Sequence, residues 1–243
     1  HRKRALNPDC PTIKGTSQNP DVFFQAKETV NKFYQNFSGI MQKQMDKFGK
    51  MTGRQYNLVD YFGAPDAEKV LIIMGSGADV AEEAVEYMNA CGEKVGLVKI
   101  RLYRPFPLEA FINALPKTVT KMAVLDRTKE PGSIGEPMYL DVRTAIGEAM
   151  QKKMFEFKGY PMIVGGRYGL GSKEFTPAMV KAVFDNLDAK EPLNGFNVGI
   201  KDDVTNLSLD YNEGWLTPQD DVYNAMFFGL GSDGTVGANK NSA

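Results

Sequence analysis

The chain has 243 residues, room for one or two domains at ~150 residues each. Its 42% hydrophobic and 24% charged residues are ordinary for a folded globular protein, and 29 basic against 30 acidic side chains leave a net charge of -1, which suggests neither a nucleic acid nor an anionic membrane as partner. His1 is the only histidine and Cys10 and Cys91 the only thiols, which excludes a Ser-His-Asp or Cys-His arrangement in a core, a His/Cys zinc site and a cluster held by four cysteines, and fits a reduced, cytosolic protein.

Residues 1–19 are polar and irregular, and the basic His1–Arg4 is not followed by the apolar stretch of a secretion signal. Asn19-Pro20-Asp21 reads as a helix start: a cap, a proline in the first turn and an acid at the positive end of the dipole. Phe23, Val30, Phe33, Phe37, Ile40, Met41, Met45 and Phe48 then recur at helical spacing. They predict one long helix closing near Gly49 and Gly53, with an apolar face for core or interface packing.

From about residue 66 the pattern changes to alternating strands and helices. Predicted strands are Val70–Met74, Val95–Ile100, Val119–Leu125 and Pro161–Val164. Predicted helices are Asp79–Cys91, Leu108–Leu115, Met138 to about Lys153, and one after Thr176-Pro177. Apolar runs of four to seven residues fit strands buried on both faces, so the expected fold is α/β, a parallel sheet flanked by helices over 66–189. Residues 190–218 read as an ordered, irregular connector. Ala225–Phe228 reads as a further strand entering the glycine loop Gly229–Gly237, with the chain stopping before a helix can follow. No apolar run nears the ~20 residues of a membrane span. The irregular start and the strand without its helix suggest a piece of a longer protein.

Three places could carry chemistry. The carboxyl ends of the strands, where open α/β sheets bind ligands, bring together Ser76, Arg101, Arg104, Asp126, Arg127, Lys129, Glu130, Arg167, Lys173 and Glu174. They either receive an anion or pair with one another or with a neighbouring domain. Gly75-Ser76-Gly77 is a partial dinucleotide fingerprint with Asp79, Glu82 and Glu83 close behind, charges that repel a pyrophosphate; a tight structural turn is the competing reading. Gly229-x-Gly231-x-x-Gly234 is a complete GxGxxG, and Ser232, Thr235 and Lys240 add donors for a phosphate.

Longer motifs resemble one family, pyruvate:ferredoxin (or flavodoxin) oxidoreductase. Gly15-Thr-Ser-Gln-Asn-Pro-Asp21, with Phe24-Gln25, Glu28, Asn31 and Phe33-Tyr34, resembles the end of its pyruvate-binding domain, here residues 1–65. Tyr103–Pro107, Leu125–Gly132 and Gly165–Phe175 resemble its second domain, which is similar to the C-terminal domain of transketolase, here 66–189. Gly231–Ser242 resembles the opening of the domain that contacts coenzyme A, here 219–243 after the connector 190–218.

The resemblance implies conversion of pyruvate and CoA to acetyl-CoA, CO2 and a reduced acceptor. Thiamine diphosphate, Mg2+ and [4Fe-4S] clusters serve the parent enzyme, a homodimer in the cytoplasm whose partner is ferredoxin or flavodoxin. It implies that this chain is mainly architectural, inactive alone and without a bound cofactor, catalytic residue or metal ligand of its own. The CoA role carries over only to Gly231, Ser232, Asp233, Gly234, Thr235 and Lys240, as a phosphate contact. The thiamine motif does not carry over, because Gly231-Ser-Asp-Gly234 has a residue too many inside it. A free-standing nucleotide- or coenzyme-binding module and a structural interaction domain are the alternative readings.

Overall fold

Strand β2 (Lys69–Met74) shows how the sequence builds the sheet. Val70 and Ile72 point to one face, Leu71 and Ile73 to the other, and none of the four is exposed. A strand covered on both sides needs apolar residues at every position, hence an unbroken run rather than an alternating one. The computed structural model describes residues 5, 7–9, 17–218, 223, 225–229 and 234–242.

The described elements, in order, are α1 (Pro20–Glu28), α2 (Asn31–Thr52), β1 (Val59–Gly63), β2, α3 (Gly77–Ala90), β3 (Val95–Ile100), α4 (Leu108–Ala114), β4 (Lys121–Asp126), α5 (Pro137–Gln151), β5 (Met162–Arg167), α6 (Pro177–Asp188), β6 (Phe196–Asn197) and α7 (Thr235–Ser242). The sheet order is β1-β3-β2-β4-β5-β6, with β2 to β6 parallel and β1 antiparallel to β3 in the register Val59↔Ile100 to Gly63↔Gly96. Helices α3 and α6 bury one face around Leu71, Leu97, Val164 and Phe184; α4 and α5 bury the other around Val70, Val98, Phe111 and Ile146. The expected α/β class with a helix-flanked parallel sheet is what the chain adopts, except that β1 at the edge runs antiparallel.

Several expectations need correction. The sequence reading has no strand between 54 and 65, yet β1 edges the sheet there, with the Tyr61 ring packed over Gly96 where a side chain would collide with it. The single long N-terminal helix is two, broken at Thr29-Val30. The Thr29 hydroxyl donates to the Ala26 carbonyl at 2.7 Å and its N–H to the Gln25 carbonyl at 3.1 Å, closing α1 on itself. Asn19 stands in extended backbone before α1 but makes no side-chain cap bond. Gly53 does end α2, left-handed at φ +74, its N–H on the Gly49 carbonyl at 2.8 Å. Gly165 and Gly166 belong to β5 rather than to the loop after it, since Phe196 of β6 lies against Gly166.

The irregular stretch 190–218 contains the short strand β6 and packs Leu209, Tyr211 and Trp215 against the α3/α6 core. Ala225–Phe228 is not a strand: it pairs with no edge of the sheet, and Met226 and Phe228 are exposed. A lone apolar run without a ladder has nothing to hold it extended. The helix that the chain was expected to be too short to form is present as the eight residues of α7.

Candidate functional site

The turn after β2 sends the chain to α3 on one face, and the loop after β4 sends it to α5 on the other. That reversal opens the crevice where α/β sheets hold ligands. Here Tyr168, at the end of β5 and only 5% exposed, fills it. Its hydroxyl donates to the Met74 carbonyl at 3.3 Å, and its ring lies against Phe175, centroids 4.6 Å apart. Burial pushes the hydroxyl above the usual tyrosine range.

Gly75 takes the left-handed turn at φ +74, and Gly77 passes directly beneath Tyr168. A Cβ at Gly77 would stand 2.8 Å from the hydroxyl and 2.9 Å from Ile73. The two glycines therefore serve chain reversal and close packing, the structural side of the alternatives weighed for Gly75-Ser76-Gly77. Glu82 is taken by Lys99 at 2.5 Å, a lysine buried inside the otherwise apolar β3.

The other charges of the rim are used in the same way. Asp126 is buried and accepts the N–H groups of Met138 and Tyr139, both at 3.0 Å, satisfying the first turn of α5. Burial lifts its carboxyl above the usual range, against the two N–H bonds, which favour the ionised form. Arg127 donates to the Gly169 carbonyl at 3.1 Å. Arg167 meets the buried Glu136 at 2.8 Å and donates to the Gly195 carbonyl at 2.8 Å; Lys129 stands 3.9 Å from the same carboxylate. Arg101 pairs with Asp60 at 2.7 Å and covers the Tyr56 ring. Arg104 and the Tyr103 hydroxyl share Asp141, each at 2.6 Å; burial and that carboxylate push Tyr103 up to about 12.

Arg101, Arg104, Arg127, Lys129 and Arg167 are taken up within the fold, but by Asp60, Asp141, Glu136 and the Gly169 carbonyl rather than by the rim acids the sequence singled out. Ser76, Glu130, Lys173 and Glu174 remain exposed. Among the described residues no group of three or more His, Cys, Asp or Glu side chains is placed to hold a metal ion. None of the described helices is long and apolar enough to cross a membrane.

The glycine-loop candidates are only partly visible. Gly231, Ser232 and Asp233 lie outside the described residues. Gly234 is exposed and left-handed at φ +80, Thr235 opens α7 and Lys240 sits exposed in its last turn. Sequence reasoning did not single out Tyr168, Glu136 or Asp141. Each is engaged by a partner distant in sequence, Met74, Arg167 and Tyr103 respectively, which nothing in its immediate neighbourhood announces.

A mostly parallel sheet edged by one antiparallel strand, sandwiched by helices and plugged at its crevice, defines a three-layer α/β domain. Residues 67–168 match the family described as pyruvate:ferredoxin oxidoreductase core domain II. All of the chain aligns, at 57% identity over 242 residues, with a putative pyruvate-flavodoxin oxidoreductase of Synechocystis sp., and at 58% over 247 residues with a pyruvate-flavodoxin oxidoreductase of Nostoc sp.. It is 55% identical, across 99% of its length, to a pyruvate:ferredoxin oxidoreductase of Moorella thermoacetica. The chain spans 20%, 21% and 20% of these relatives respectively, about one fifth of their length. It belongs to the pyruvate:ferredoxin oxidoreductase family, and residues 67–168 are its core domain II.

Proposed function

We propose that this chain is the architectural part of an enzyme that converts pyruvate and CoA to acetyl-CoA and CO2 while reducing ferredoxin or flavodoxin in the cytoplasm. The observation that carries the reading is Tyr168 in the crevice: the place where a sheet of this kind would take a substrate is occupied by its own side chain, hydrogen bonded to Met74. The names of the relatives, over the whole of the chain, support the reaction.

Thiamine diphosphate with Mg2+ and the [4Fe-4S] clusters of such an enzyme do not fit the residues present. Two cysteines cannot ligate a cluster, and Asp60, Asp126 and Glu136 are already engaged by cations or backbone N–H groups. What this chain contributes is placement: the α/β body of 66–189, edged by β1 and β6, stands between the end of a pyruvate-binding domain in 1–65 and, after the connector 190–218, the start of a coenzyme-A-contacting domain in 219–243, beside a second subunit. The phosphates of CoA meet Gly231, Ser232, Asp233, Gly234, Thr235 and Lys240; support comes from the left-handed Gly234 just before the first N–H groups of α7.

The test is a two-part assay on the pure chain. With pyruvate, CoA, thiamine diphosphate, Mg2+ and a low-potential acceptor it should form no acetyl-CoA, and measurable acetyl-CoA would end the architectural reading. Millimolar CoA should raise the melting midpoint, and Lys240→Ala should reduce that rise. An unchanged midpoint would remove the phosphate contact.

A further inference from the structure

Helix α2 is fastened to the body by polar groups along one side. Gln42 accepts the Leu58 N–H at 3.1 Å and donates to the Tyr56 carbonyl at 3.2 Å. Asp46 accepts from Gln42 at 2.9 Å and from Gln55 at 3.0 Å, and those bonds hold its carboxyl below the usual range. Gly49, the only buried residue of the helix, continues the line. At ~100° per residue, these three positions share one side of α2.

The apolar side points away from that line. Phe33 is 65% exposed and Met51 74%, and Phe37 and Ile40 are exposed too, whereas Phe48 stacks on Tyr56 and Tyr34 faces Pro105–Leu108 across a cavity; α1 continues the surface with Phe23 and Phe24. Four large apolar side chains on one face of a helix, continued by two more on α1, exceed what isolated surface residues explain. Beside them runs a ridge of lysines. Lys32, Lys43, Lys47 and Lys50 fall within about 60° of one another on the helix, next to Ile40 and Phe33. None of the four forms an ion pair among the described residues. The one carboxylate of α2, Asp46, is turned to the body and occupied.

We infer that this face of α2 is a docking surface for an amphipathic protein helix whose apolar stripe is bordered by Asp and Glu. A second copy of α2 is a poor occupant. Laid antiparallel, stripe to stripe, the two lysine ridges fall on the same side of the pair and repel. The lysines instead complement carboxylates, and the apolar stripe complements another helix face. The inference rests on the reading of the chain as part of a longer enzyme in one respect: relatives of which it spans 20–21% have the remaining length to supply such a helix.

The test uses two labelled synthetic helices with the same leucine stripe, one bordered by glutamates and one by lysines, titrated into the chain. The glutamate-bordered helix should bind about tenfold more tightly at low salt, with the gap closing near about 0.5 M NaCl, and should shift the backbone amides of residues 33–51 in NMR spectra. Phe33→Gln/Phe37→Gln/Ile40→Gln should abolish binding. Because these side chains lie outside the core, the melting midpoint serves as a check that the body is intact. Lys43→Glu/Lys47→Glu should switch the preference to the lysine-bordered helix. Equal affinity for the two helices, binding of neither, or a dimer of the chain that protects the same amides would each overturn the inference. These outcomes are independent of the acetyl-CoA assay, so either reading can fail without the other.

Discussion

The hydroxyl of Tyr168 and the carbonyl of Met74 meet at 3.3 Å across the top of the sheet, joining the ends of β5 and β2 over the intervening β4. The ring, not the hydroxyl, does most of the filling. Tyr168→Phe should cost about 0.5–1.5 kcal/mol for the lost hydrogen bond. Tyr168→Ala should cost about 3–5 kcal/mol, because Gly77 and Phe175 would face a cavity. Urea denaturation of the two variants checks both; a Phe variant as unstable as the Ala variant would show that the bond matters more than the ring.

Glu136 is 2% exposed, and its carboxylate faces Arg167 at 2.8 Å. Removing one partner of such a pair strands the other in a dry site. Glu136→Ala should therefore destabilise by about 3–5 kcal/mol, whereas the double change Glu136→Gln/Arg167→Met should recover much of it. Additive losses in a double-mutant cycle would contradict the coupling.

Asp126 holds the first turn of α5 from outside the helix, through Met138 and Tyr139. Asp126→Ala should cost about 1–2 kcal/mol as a lost cap, with Asp126→Asn between it and the wild type. Faster amide exchange at Met138 and Tyr139 in the Ala variant is the accompanying signature. Unchanged exchange there would remove Asp126 from that role.

Asp202 gathers the N–H groups of Val204 and Thr205, at 3.0 and 3.1 Å, and the Thr205 hydroxyl. These bonds, the hydroxyl's foremost, bring its carboxyl down to about 2 from 3.8. A carboxylate lowered on folding stabilises fully above its unfolded value and loses that contribution as pH falls through the folded one. The turn at 202–208 should thus be intact above about pH 4 and open as pH falls through about 2, with the Asp202 carboxyl carbon titrating over the same interval in NMR spectra. A midpoint near 4 would refute it.

Gly96 lies under the Tyr61 ring, the contact that seats β1 on the sheet. Gly96→Ala should cost about 1–3 kcal/mol by overpacking, and Gly96→Ala/Tyr61→Val should restore part of it. Equal stability of wild type and Gly96→Ala, measured by thermal melting, would mean that the ring moves aside freely.

What could be read beforehand depended on how the information is stored. β3 was legible to its end residues, because an apolar run bounded by polar residues needs no distant partner to declare itself. Lys99 inside it was not, since its burial depends on Glu82 from another element. Val59–Gly63 carries Asp60 and Gly63, which blur the period, and only β3 beside it makes it a strand. Ala225–Phe228 is the converse, an apolar run that nothing in the sheet receives. At the rim, residue types fit both an ion pocket and ion pairs, and did not name the partners. Contacts such as that of Glu136 with Arg167, 31 residues apart in the chain, decide between them, and the fold alone makes those.

The fastening line Gln42, Asp46 and Gly49 lies in the C-terminal half of α2. Residues 31–41 therefore form a cantilever, a beam clamped at one end, with Asn31, Tyr34, Gln35 and Ser38 across a cavity from Pro105–Ala110. A load placed on its free end is borne as torque at Gln42, whose partners Tyr56 and Leu58 lead directly into β1. Any body seated on the beam thus has a mechanical route to the edge of the sheet that bypasses the plugged crevice altogether.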